Sequence, residues 1–136
     1  MKKLLFIVML LCSMGTIAQI KVSENKTEDI YKARMGAIRL TKFNTEGEIY
    51  YAFYFRNAQY QHLVDYQHIS FNDTTEVKEF FNLIITAIDE NKEYNLTVGK
   101  QALYISKGVY GSITIRNSQG YCYVSKKEAQ AIIDSL

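Results

Sequence analysis

The chain has 136 residues, 48% hydrophobic and 22% charged, with 16 basic and 14 acidic side chains, two cysteines, two histidines, and no tryptophan or proline. That length suits one domain with a core of its own. Nearly balanced charge leaves no general surplus of cations for a phosphate backbone, and two cysteines are too few for a disulfide framework or a four-thiolate zinc site.

Residues 1–18 (MKKLLFIVMLLCSMGTIA) have the order of a cleaved secretory leader. Lys2 and Lys3 come first, an apolar run covers 4–14, and the small residues Thr16 and Ala18 precede Gln19. The run of 11 residues is too short for a lasting bilayer span, so no stable transmembrane anchor is expected. The competing reading is a lipoprotein acylated at Cys12, but Leu10 and Leu11 in front of that cysteine fit such a site poorly. Removing residues 1–18 from 136 leaves 118. Because Lys2 and Lys3 leave with them, 14 bases then face 14 acids. Cys122 becomes the single cysteine, which rules out an internal disulfide and a zinc site built on cysteine pairs. A short leader and no disulfides suit a bacterial envelope protein, periplasmic or extracellular.

Residues 19–29 (QIKVSENKTED) are polar and aperiodic and read as a lead-in to a single domain over 30–136. Residues 30–43 predict a strand with a bulge at Gly36, and 44–48 (NTEGE) a turn. Residues 49–56 predict a strand dense in aromatics, RNAQ a hairpin turn, and 60–71 a return strand kinked near Val64 and Asp65. A helix follows over 74–91. Asp73 is its N-cap, Glu76 its N3 partner, and Val77, Phe80, Phe81, Ile84 and Ile88 form one apolar stripe. Short strands are expected at 94–98, 102–106, 109–116 and 121–124. Ser125 and Glu128 form a second capping box, opening a helix over 126–136 whose stripe is Ala129, Ile132, Ile133 and Leu136.

FRNAQY at 55–60 echoes IRNSQGY at 115–121. Each follows a strand, precedes another, and leads toward a capped helix. The one-residue gap and unequal spacing favour two independent hairpin turns, which draw on the same residue types, over a duplicated unit. On either account the fold class is α+β: a mostly antiparallel sheet of about 6–7 strands with two helices. At the level of fold alone, repeated strands-then-helix units resemble the PUR-type and Whirly-type nucleic-acid-binding folds. That resemblance implies a cationic face, for which Lys32, Arg34, Arg39, Lys42 and Arg56 are the candidates. Export and balanced charge oppose that function, and no nucleic acid is expected.

Catalytic chemistry finds little support. His62, Asp65 and His68 are metal-ligand types, but along a strand the two histidines lie about 20 Å apart and Asp65 faces the other way. No metal and no cofactor are expected. An enzyme or enzyme inhibitor would have to use His62, His68 and Cys122 together. Cys122, alternating with Tyr121 and Tyr123, reads first as a buried hydrophobe. Glu46 and Glu48 read as a solvated turn rather than a glycosidase pair.

The tyrosines are more telling. Strand alternation sets Ile49, Tyr51, Phe53 and Phe55 on a core face, and Tyr50, Ala52, Tyr54 and Arg56 on the other. Tyrosine and arginine supply large contact areas with polar tips, as recognition surfaces require. Tyr50, Tyr54, Arg56, Tyr60 and His62 are therefore the candidate binding residues. The expectation is a small exported, non-catalytic binding or structural protein, meeting a protein partner first and a small ligand second.

Expressed with its leader in a bacterial host, the exported protein should begin at Gln19 and carry no lipid. Intact mass spectrometry checks both, and a lipid-modified N-terminal Cys12 would replace this reading.

Overall fold

The computed structural model describes residues 24–60 and 62–136, so the expected leader and its cleavage site lie outside the described residues. Strands β1 (Asn25–Ala33), β2 (Ile38–Thr45), β3 (Glu48–Arg56) and β4 (Tyr66–Phe71) form one antiparallel meander, followed by α1 (Thr74–Glu90). Strands β5 (Tyr94–Val98), β6 (Gln101–Lys107), β7 (Ile113–Arg116) and β8 (Tyr121–Val124) form a second, followed by α2 (Lys126–Asp134). The class is α+β, but the strands divide into two sheets of four rather than one sheet. The strands-then-helix order occurs twice.

Both helices begin where their caps require. Asp73 accepts a hydrogen bond from the Glu76 backbone N–H at 2.8 Å, and the Glu76 carboxylate accepts from the Asn72 N–H at 2.8 Å. Ser125 and Glu128 close a complete capping box. Asn91 ends α1 in the left-handed region at φ 53°, a conformation its short polar side chain tolerates. The stripe of α1 buries Val77, Phe80, Phe81 and Ile84. Phe81 meets Phe53 of β3 edge-on, with ring centroids 5.1 Å apart. The inner faces of both sheets and the buried stripes of both helices share one apolar core. Five buried side chains of the first sheet, from Ile38 and Leu40 to Phe53, Phe55 and Ile69, reach it by alternation.

Four expected boundaries differ, each for a physical reason. The polar lead-in is in part a strand: Asn25 to Asp29 pair with Thr45 to Thr41 at the sheet edge. An edge strand needs only one partner and can stay polar on both faces, so no periodicity marks it. The expected bulge at Gly36 is a chain reversal, and the register shift lies between Asp29 and Tyr31. That reversal holds Arg34, Met35 and Gly36 at φ 51°, 57° and 89°. Positive φ is costly for the first two. The Arg34 side chain offsets this by donating to the Tyr123 carbonyl at 3.1 Å and the Glu128 carboxylate at 2.6 Å. RNAQ is not a tight hairpin turn: the Asn57 N–H reaches the Asp65 carbonyl at 2.7 Å, and the strand resumes only at Tyr66. Tyr60 and His62 therefore stand on a connection, not on a strand. Finally, the expected strand over 109–116 is a turn until Ile113, with Tyr110 at φ 52° and the Gly108 N–H bonded to the Ser112 carbonyl at 2.9 Å.

The two RN turns meet in space. Asn57 is 1% exposed. Its amide nitrogen donates to the Asp65 carboxylate at 2.9 Å and the Gln119 carbonyl at 3.1 Å. Its oxygen accepts from the N–H groups of Gln59 at 3.0 Å and Tyr121 at 3.2 Å. Asn117 repeats part of this, accepting from the N–H of Gln119 at 2.9 Å and of Gly120 at 2.8 Å. Asn57 presses so close to Gly120 that a Cβ there would lie 2.1 Å from the Asn57 amide nitrogen.

Gly120→Ala is expected to cost about 1–3 kcal/mol by overpacking, and Asn57→Ala a similar amount, about 1–3 kcal/mol, by orphaning its buried partners. Because the same side chain is removed and collided with, the double variant should lose less than the sum of the two. Urea unfolding of the three variants measures this; strict additivity would contradict the close approach.

Candidate functional site

The outer face of the first sheet is built by register. Arg39 of β2, Tyr54 of β3 and His68 of β4 are cross-strand partners, as are Phe43 and Tyr50. Between these rows lie the smaller partners Thr41, Ala52 and Ser70. Large side chains flanking small ones lean together. Tyr50 stacks on Phe43 with centroids 4.9 Å apart and planes within 4°. Phe43 approaches Tyr54 at 6.4 Å, and Tyr54 approaches His68 at 5.6 Å. The guanidinium of Arg39 sits 4.7 Å from the Tyr54 ring centre, a cation–π contact. Four rings thus cross the sheet without a break, and Thr41 and Ala52 are buried beneath them although they face outward. Arg39 Nε is buried with no hydrogen-bond partner among the described residues.

The faces of β3 follow the expected alternation, with one exception. Tyr51, Phe53 and Phe55 are buried, Tyr50 is 39% exposed and Arg56 is exposed. Ile49, expected in the core, is 45% exposed, because it stands at the start of β3, opposite Asn44 and next to the Glu46–Gly47 turn.

The candidate residues divide between two places. Tyr50 and Tyr54 belong to the row of rings. Arg56 and Tyr60 line an open cleft of about 390 Å³ together with Tyr121 and Tyr123 from the other half of the chain. There Arg116 lies 4.6 Å over the Tyr121 ring, and Tyr121 meets Tyr123 edge-on at 5.6 Å. His62 is exposed on the connection between β3 and β4, beside the exposed Leu63 and Val64. The binding residues expected from sequence did not include Phe43, Tyr121 and Tyr123, and Arg39 was expected only as a cation for a nucleic acid. The RN echo held a clue to Tyr121 and Tyr123: Arg56 pairs with Tyr66, and Arg116 pairs with Tyr121.

Of the five candidate cations, Lys32, Arg39 and Arg56 share the outer face by alternation. Arg34 is paired with Glu128, and Lys42 alternates to the opposite face, across from Glu28. His62, Asp65 and His68 do not form a cluster. The Asp65 carboxylate is occupied by the side-chain amides of Asn57 and Gln67. Among the described residues no three histidine, cysteine, aspartate or glutamate side chains could hold a metal ion. Cys122 is 3% exposed and faces the core opposite Ile115, whereas His68 faces outward beside Tyr54. Burial pushes the Cys122 thiol well above its ordinary range, the nearby Arg34 countering only in part.

Comparison with family models, curated proteins and solved structures finds no match for this chain.

The buried thiol makes a prediction with a defined sign. A thiol reagent should leave the native protein unlabelled near neutral pH and label it fully in denaturant. Because folding raises this pKa, the unfolded chain releases the proton first. The stability contributed by the neutral thiol is therefore complete below the ordinary thiol range and falls as pH rises above it. Cys122→Ala should show a shallower alkaline loss of stability in urea titrations than the parent. Rapid native labelling at neutral pH would contradict the burial.

Proposed function

We propose that this is an exported, non-catalytic binding protein that engages a protein partner through the outer face of its first sheet, from Tyr50 across Tyr54 to Arg56 and Tyr60. The observation that carries this is the unbroken row of rings from Tyr50 through Phe43 and Tyr54 to His68 on a solvent-facing sheet surface. Cross-strand aromatic pairs stabilise a sheet by roughly 0.2–1 kcal/mol each wherever they occur. Three linked contacts with a guanidinium laid over one ring also make a rigid, preformed surface. Such a surface loses little side-chain entropy when a partner covers it. The Arg56 cleft adds a cation among three tyrosines at the rim, the composition of interface anchors. His62 borders this region on the exposed connection.

Export rests on the basic-apolar-small order of the leader. Among the described residues no helix is long and apolar enough to cross a membrane. The reading as a secreted enzyme or inhibitor has less support, because Cys122 faces the core while His68 faces the outer surface. For a nucleic-acid strand, the favouring feature is Arg39 over Tyr54 with Lys32 beside it in register. Two of the five cations needed for that reading lie elsewhere.

Tyr50→Ala combined with Arg56→Ala should leave the circular dichroism spectrum and cooperative unfolding intact, because both side chains are exposed. It should abolish capture of the partner that the parent retains on a column. Equal capture by the double variant would overturn the reading. Capture of nucleic acid alone, lost steeply with added salt, would replace it with the alternative.

A further inference from the structure

Cations gather at one corner of the outer face of the first sheet, where strand pairing sets them side by side. Lys32 of β1 stands directly opposite Arg39 of β2, and opposed partners point to the same side of a sheet. Their Cα atoms are then about 4.5–5.5 Å apart. Arg56 belongs to the next row. It lies two residues beyond Tyr54, the partner of Arg39 on β3, which makes it a diagonal neighbour of Arg39 at about 7–8 Å. The Arg56 N–H bonds the Ala37 carbonyl at 2.7 Å, so β2 and β3 are still joined at that point.

Like charges directly opposed across a sheet are destabilising, and nothing beside them cancels these. Among the described residues Lys32, Arg39 and Arg56 form no ion pair; the pairs present join Arg34 to Glu128, Lys92 to Glu90 and Lys126 to Asp89. Tyr54 and His68 complete the row of Arg39, and Tyr66 that of Arg56, with no carboxylate in either. Asp29 stands in the row on the other side, where it accepts from the Thr41 hydroxyl at 2.8 Å. Arg39 adds a second cost, because its Nε is buried with no hydrogen-bond partner among the described residues. Lys32 and Arg56 are exposed, and the Arg39 guanidinium is held over the Tyr54 ring at 4.7 Å. The charges are therefore both accessible and oriented.

Local rules broken twice at one spot, with no compensation inside the fold, mark a place where something from outside supplies it. An oxyanion does so, since the planar fork of arginine matches a carboxylate. The cluster is also compact. Arg34 is held by Glu128 and Lys42 alternates to the opposite face, so these cations do not extend into a stripe that would follow a phosphate backbone. In an extended polypeptide, residues i and i+2 lie on one side about 7 Å apart, close to the Arg39–Arg56 spacing.

We propose that this corner receives the carboxylates of an acidic segment of the protein partner. One carboxylate lies between Lys32 and Arg39, and a second, two residues along, reaches Arg56. The partner covers the row of rings with its contact area and meets the corner with its negative charge, which steers its approach and selects it. This gives the partner of the aromatic face an acidic chemistry, and so it rests on the reading of that face.

The test uses two blocked peptides, acetyl-Gly-Glu-Ala-Glu-Gly-amide and its glutamine counterpart, titrated into the isotope-labelled protein. The glutamate peptide should shift the Arg39 Nε–H signal and the backbone amides of Lys32 and Tyr54, and added salt should weaken it. The glutamine peptide should bind at least tenfold more weakly. Lys32→Gln lies on an exposed edge strand. It should weaken the glutamate peptide at least fivefold and raise the urea midpoint of the free protein, because one of two opposed charges is gone. Lys42→Gln makes the same charge change on the other face and should bind the peptide as the parent does. No shift with the glutamate peptide, equal binding of both peptides, equal losses in the two lysine variants, or a lower urea midpoint for Lys32→Gln would each overturn the proposal. Tighter binding of a short oligothymidylate than of the glutamate peptide would overturn it in favour of a nucleic acid. If Lys32→Gln binds the peptide as the parent does, the acidic corner fails and the aromatic face stands. That face fails instead if Tyr50→Ala with Arg56→Ala still captures the partner.

Discussion

One carboxamide ties the two halves together. Asn57 uses both of its amide hydrogens and both acceptor positions of its oxygen, and it does so in near-complete burial. A polar group in that setting is costly unless all its bonds are made. The bonds run both to its own connection, at Asp65 and Gln59, and across to Gln119 and Tyr121 of the second half. The Ala58 N–H adds a backbone bond to the Tyr121 carbonyl at 2.8 Å. Sliding one sheet past the other by a single residue would break these bonds together. Gly120 is the condition for all of them, since a side chain there would occupy the space of the Asn57 amide.

The candidate surfaces follow from that junction. It brings the end of β3 beside the start of β8, so Arg56 and Tyr60 share a cleft with Tyr121 and Tyr123, residues more than 60 positions away in the chain. A shared core then forms beneath both sheets, with Phe53 against Phe81 near its centre. The helices take up the opposite side and leave the outer face of the first sheet uncovered. The Arg34 turn completes the frame. Its strained backbone is held because its guanidinium reaches β8 and the capping glutamate of α2.

Some elements were plain in the sequence because their signals are local. Both helix starts follow from a side chain bonding a backbone N–H three residues on, and the apolar stripe of α1 follows from helical periodicity. The β3 alternation put Tyr51, Phe53 and Phe55 inward and Tyr50 and Arg56 outward without help from any other strand. Other elements were hidden because their causes are remote. Asn25 to Asp29 are a strand only because β2 lies beside them. Arg34 and Met35 turn back on themselves only because Glu128 and Tyr123 hold the guanidinium. The connection over 57–65 bears turn residues at its start, but its length is set by the Asn57–Asp65 bond. The echo of the two RN segments was visible, yet nothing in it said that the two would touch.

The sequence by itself determined the class of fold, the two helices with their caps, the core face of the aromatic strand and the lack of any cysteine pair after residue 18. These depend on spacing and residue type within about a dozen neighbours, which is the range of capping and periodicity. Tertiary structure alone decided that the strands form two sheets, that Phe43, Arg39 and His68 complete the row begun by Tyr50 and Tyr54, and that Tyr121 and Tyr123 face Arg56. Those are matters of cross-strand register and of packing between halves. Register within a sheet follows the burial pattern and the turns that join its strands, while the approach of the two halves depends on remote buried groups that must satisfy one another, chief among them Asn57.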